Sequence, residues 1–182
     1  MPRISTKENK NIYQTTREEL VLSREAASEL METISPERLV RIEGDSYLPH
    51  PEEVLEMAKG YKKPALCNYF CSQQCPIGRQ YVPEIKINDL SRIVLGMLSS
   101  LNSMQREKDR LIDISADGMI DNDELPDFIR IQRELEKMSV AVETLQLWVE
   151  QMMADGKIDM KRYLWCVHFL LKRHFFLFLL QK

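Results

Sequence analysis

The chain has 182 residues, 44% of them apolar, with only six glycines and eight prolines. That composition excludes global disorder and collagen-like or repetitive fibres, and favours helix throughout. A formal net charge of −3 argues against a non-specific polyanion binder.

Met1 to Tyr13 is polar and charged, unlike a secretory leader, and residues 1–10 read as a flexible arm. Four cysteines in a chain of this length do not make a disulfide framework. A soluble protein of the reducing cytoplasm is the expectation.

Residues 11–66 divide into short helices. The first spans Asn11 to Leu20. Ser23 caps the second, which runs to about Met31, and Ser35 caps the third, with Pro36 in the favoured first-turn position. Pro51 opens a fourth, which Gly60 ends. Leu22, Leu30, Leu39, Ile42, Leu48, Val54, Leu55 and Ala58 have the spacing of one small shared core.

Residues 67–83 form a connector holding Cys67, Cys71 and Cys75. On a regular helix, steps of four place three thiols on one face, where they would seat a metal or an iron–sulfur cluster or act in thiol redox. The spacing matches no standard zinc finger, and a fourth ligand is not obvious; Cys166 and His50 are distant in sequence. The competing reading is three small buried hydrophobes sealing the connector.

Residues 84–154 read as a long antiparallel hairpin. Leu90, Val94, Met97, Leu101, Met104 and Leu111 follow a heptad seam that Lys108 interrupts. Phe128, Ile131, Leu135, Met138, Val142, Leu145, Val149 and Met152 repeat it without a break. Such seams predict coiled-coil-like packing and a dimerisation element. Between them, Ala116-Asp117-Gly118-Met119-Ile120-Asp121 reads as a glycine C-cap followed by an aspartate N-cap.

That turn also matches a calcium loop through Asp113, Ser115, Asp117, Gly118, Ile120 and Glu124. A second copy, Ala154-Asp155-Gly156-Lys157-Ile158-Asp159, supplies a control. There the first and last ligand positions are Gln151 and Arg162, so the shared core is a hinge between helices and calcium is not expected. Residues 155–182 turn aromatic and aliphatic from Tyr163 to Leu180, but Lys172, Arg173 and His174 leave no uninterrupted membrane-length span. His168 and His174 read as incidental. No nucleophile elbow, phosphate loop or paired zinc-ligand motif occurs, so an enzyme is not expected.

Three stretches, Leu22 to Leu30 (LSREAASEL), Ser35 to Gly44 (SPERLVRIEG) and Leu48 to Ala58 (LPHPEEVLEMA), together resemble the phage-repressor (Cro/XRE) type of helix-turn-helix regulator. The resemblance covers roughly residues 11–66. It implies that Ser35 to Glu43 is the recognition helix, lying in the major groove of double-stranded DNA. It makes Arg38 the foremost base-contacting residue, through bidentate pairing with guanine. Arg24 is then a phosphate contact where the family often has glutamine, with Arg17 and Arg41 as further phosphate candidates. In the family, the Arg41–Glu43 region often serves domain stability instead. Glu37 lies on the same DNA-facing first turn and places a carboxylate where phosphates approach. The turn Glu32-Thr33-Ile34 departs from the pattern: it has no glycine and is one residue longer than usual.

The expected protein is therefore all-α: a small helix-turn-helix domain of four to five helices, then the coiled-coil-like hairpin. It would act as a dimeric, sequence-specific transcriptional regulator. The alternatives are an interaction adaptor with a vestigial helix-turn-helix, and a metal or redox sensor acting through the cysteines.

Overall fold

The computed structural model describes residues 9–165. Those residues are helical and contain no strand. Among them, residues 9–66 form one compact unit with residues 149–165, and Cys67–Trp148 form a second.

In the first unit, α1 (Ile12–Glu19), α2 (Arg24–Glu29), α3 (Pro36–Glu43) and α4 (Pro51–Gly60) follow in quick succession. Each start is a capping event. The side chains of Asn11, Ser23 and Ser35 accept the backbone N–H of Gln14, Ala26 and Arg38. At α4 the cap reverses: the His50 N–H donates to Glu53 at 2.7 Å. These bonds satisfy donors that short helices otherwise leave unpaired. Asn11 also donates to the Ile42 carbonyl at 2.7 Å and to Asp45 at 2.8 Å, tying the start of α1 to the end of α3.

The turn from α2 to α3 closes without glycine. Met31 and Ile34 insert into the core, and Ser28 Oγ donates to the Ile34 carbonyl at 2.6 Å. Thr33 donates to Glu56 on α4 through its backbone N–H and its hydroxyl. Two apolar anchors and a side-chain clamp therefore do what a left-handed glycine does elsewhere.

The core differs from the one expected in part. Leu39, Ile42, Val54 and Ala58 are buried, whereas Leu30, Leu48 and Leu55 are exposed. On α4 the inward positions are 54, 57, 58 and 61, so Leu55 turns outward. Tyr13, Ile34, Met57 and Tyr61 fill the volume instead.

After α4, α5 (Ala65–Tyr69) loosens into a π-helical segment, Phe70–Gln74, before α6 (Gly78–Tyr81). Then α7 (Leu90–Ile114) and α8 (Leu125–Ala154) form the long helix pair. They run antiparallel, since Arg110 pairs with Asp127 at 2.7 Å and Arg130 with Glu107 at 2.9 Å near the connecting turn. In that turn Gly118 takes φ +76°, a conformation that favours a residue without Cβ. Asp121 Oδ1 accepts the N–H of Asp123 and Glu124 to start the next helix. The second copy behaves alike: Gly156 has φ +73° and Asp159 Oδ1 accepts the Arg162 N–H. No helix among the described residues is long and apolar enough to cross a membrane.

Candidate nucleic-acid interface

The sequence places the site on α3, and α3 has two unlike faces. Leu39, Ile42 and Glu43 point inward. Glu37, Val40 and Arg41 point to solvent, with Glu25 and Glu29 of α2 also exposed.

Glu43 is the unexpected centre. Its carboxylate is buried and accepts three charged donors: Arg17 Nε at 2.6 Å, Arg17 Nη2 at 2.9 Å and Arg24 Nε at 2.9 Å. Arg17 Nη1 donates to the Leu22 carbonyl at 2.6 Å. The hydrogen bond to Glu43 raises the Arg17 pKa against the lowering effect of burial. Two buried charges thus persist because each is paired and hydrogen-bonded. Arg17, expected on a phosphate, is a buried structural residue. Arg24 stays at the surface, anchored through Nε alone.

Arg38, expected at base edges, folds back instead. Its Nε and Nη2 donate to the two carboxylate oxygens of Glu53 at 2.6 and 2.7 Å, and Nη2 reaches the Leu48 carbonyl at 3.2 Å. The reason is local: the Glu53 that caps α4 stands opposite the first turn of α3. Ser35 is engaged as the N-cap of α3.

Arg41 is the basic side chain of α3 that reaches solvent without a carboxylate. Among the described residues it forms no ion pair, and its guanidinium lies 6.0 Å from the Tyr47 ring centroid, a cation–π distance. Glu37 is exposed, and its own backbone N–H and Ser35 hold its carboxyl below the ordinary glutamate range. Glu25 is shifted the same way by its own N–H and Ser23. The outer face therefore carries the carboxylates of Glu25 and Glu37 alongside Arg24 and Arg41.

The resemblance linked the Arg41–Glu43 stretch to domain stability, but the partners of Glu43 and the role of Glu53 were not legible in the sequence. Glu43 stands in a noticed stretch, but its partners lie 26 and 19 positions away. Periodicity does not report pairings at that range.

Cys67, Cys71 and Cys75 are half-buried. Cys67 lies on α5, Cys71 within the π-helical segment and Cys75 at its end, where its sulfur accepts the Gly78 N–H at 3.4 Å. Among the described residues no three His, Cys, Asp or Glu side chains converge to hold a metal ion. The one-face geometry assumed regular α-helix, and the α-to-π change after Tyr69 breaks the even step of four. In the calcium-like turn, the carboxylates of Asp117, Asp121 and Glu124 all accept backbone N–H groups. Cys166, His168, His174 and most of the aromatic tail lie outside the described residues.

No protein-family model, curated protein or solved structure matches the chain.

Proposed function

We propose that residues 11–66 are a helix-turn-helix domain that binds double-stranded DNA, and that the chain is a cytoplasmic, dimeric transcriptional regulator of the phage-repressor (Cro/XRE) type. One observation carries this reading. A Ser23-capped α2 and a Ser35-capped α3 share one small core with α1, and α3 keeps Glu37, Val40 and Arg41 open to solvent. That is the layout by which a short helix enters a major groove. With Arg38 held by Glu53, base reading passes to the open residues. Val40 suits a thymine methyl, Glu37 a cytosine amino group, and Arg41 a guanine or a phosphate. Arg24 sits where a backbone phosphate would lie. A recognition helix of eight residues reads few bases, so two copies on one operator would supply the specificity.

A second reading is an interaction adaptor that keeps the fold without DNA. It is favoured by the carboxylates of Glu25, Glu29 and Glu37 beside α3, which weaken counterion release as a source of affinity.

Fluorescence anisotropy on DNA from the chain's own upstream region, across a salt series, separates the two. The regulator shows sequence-dependent binding with a shallow salt slope, and Arg41→Ala removes the preference. Binding equal to that on random DNA sinks the regulator and leaves the adaptor.

A further inference from the structure

We infer that a second copy of this chain docks on one face of the α7–α8 hairpin, completing a four-helix bundle. The inference rests on the dimer reading above and adds where the two chains meet.

The heptad residues and the residues that join α7 to α8 are not the same set. On α7 the buried positions are Ile93, Ser100 and Ile114, and Glu107 bonds Arg130 of α8. They mark a stripe one residue away from the apolar one. Val94 and Leu101 of the expected seam are exposed, Leu101 to 50%, and so is Leu98 at 51%, against 5% for Ile93. On α8, Ile131 is buried while Leu135 and Val142, one heptad apart, are exposed.

At 100° per residue, Leu90, Val94, Leu98 and Leu101 fall within one arc on the C-terminal-following side of the α7 seam. Leu135 and Val142 are displaced from the α8 seam in the same sense. Because the helices are antiparallel, equal rotations carry both stripes to the same side of the hairpin. The opposite side is a shallow groove with a floor of Gly96, Ser100 and Thr144. One face of the pair therefore carries Leu90, Val94, Leu98 and Leu101 beside Leu135 and Val142, with Gln105 and Lys108 continuing the α7 stripe toward the turn, whereas the other holds small residues between Arg92, Glu134 and Lys137.

Two further facts commit the occupant to another copy. Residues 93–105 carry no charged side chain, an uncharged girdle of more than three turns that a helix open to water on most sides does not need. The size also fits. A 25-residue helix is about 37 Å long, and two helices side by side are about 20 Å wide, giving roughly 750 Å² per partner. A stable specific interface needs about 800 Å² per partner. Two such hairpins meeting face to face bury all four stripes, as in a four-helix bundle.

Sedimentation velocity of the full chain tests this, with far-UV circular dichroism as the check on folding. The parent is expected to be a dimer. Leu98→Glu, at an exposed position, is expected to weaken self-association at least a hundredfold with helicity unchanged. Leu98→Ser, a gentler change, should weaken it in the same direction. Ser103→Glu, on the groove side, should leave the dimer intact. A parent that stays monomeric across micromolar concentrations overturns the dimer reading and this inference together. A dimer that survives both Leu98 substitutions but dissociates with Ser103→Glu overturns the assigned face alone.

Discussion

Arg17 and Glu43 stand 26 positions apart and meet as a two-pronged buried pair, Nε to Oε1 at 2.6 Å and Nη2 to Oε2 at 2.9 Å. The pair joins α1 to the last turn of α3, so the orientation of the candidate recognition helix depends on it. Removing one member strands the other charge away from water. Glu43→Ala is expected to cost about 3–5 kcal/mol. Replacing both, as Arg17→Met with Glu43→Leu, is expected to return most of that loss, because the desolvation penalty disappears with the charges. Urea unfolding of Arg17→Met, Glu43→Leu and the double variant, against the parent, gives the coupling directly. Additive losses would mean that the pair contributes no mutual stabilisation.

Tyr61 sits beside this cluster with its hydroxyl buried and without a hydrogen-bond partner. Burial, and then the nearby Glu43 charge, push its pKa well above the ordinary phenol range. A buried polar atom without a partner is a net cost, so Tyr61→Phe is expected to be neutral or stabilising by about 1 kcal/mol. Thermal melts read this in one step, and a clear loss of stability would show that the hydroxyl is satisfied in solution.

Two glycines should respond in opposite ways to the same substitution. A Cβ on Gly78 would collide with the Cys71 carbonyl oxygen, which belongs to backbone and cannot swing aside. Gly78→Ala is expected to cost about 3 kcal/mol or more and to loosen the cysteine connector. A Cβ on Gly96 meets nothing within 4 Å, and Gly96 lies inside α7. Gly96→Ala is expected to stabilise by about 0.5–1 kcal/mol through helix propensity. Denaturant midpoints of the two variants, measured side by side, check both signs.

These contrasts show what a sequence carries. The short helices are legible because their caps are local: Ser23, Ser35, Pro36 and Pro51 act within one turn of where they stand. The hinges at Gly118 and Gly156 are legible because the same six-residue pattern occurs twice. The long helices are legible from apolar periodicity, but periodicity fixes only the direction of a stripe and not what covers it. Leu101 and Val142 therefore read as the hairpin seam although they face outward. The candidate site was legible in position and not in wiring. Arg38 stands on α3 as expected, yet its partner Glu53 lies 15 positions on, in a helix whose approach depends on the whole core.

The Arg38–Glu53 pair makes that wiring testable through pH. Hydrogen bonds from Arg38, followed by the His50 N–H, hold the Glu53 carboxyl below the ordinary glutamate range. A carboxyl with a depressed folded-state pKa stabilises fully above its unfolded value, about 4.3, and loses that contribution as pH falls through the folded value. Arg38→Ala should therefore lower the melting temperature at neutral pH, and the gap from the parent should narrow below about pH 4.3. The pair is partly open to solvent, so the neutral-pH loss is about 1 kcal/mol, or about 4–8 °C for a domain of this size. If Arg38 serves α4 and not the bases, its alanine variant keeps the parent's DNA sequence preference at temperatures where it remains folded. Loss of that preference without any fall in melting temperature would return Arg38 to the groove.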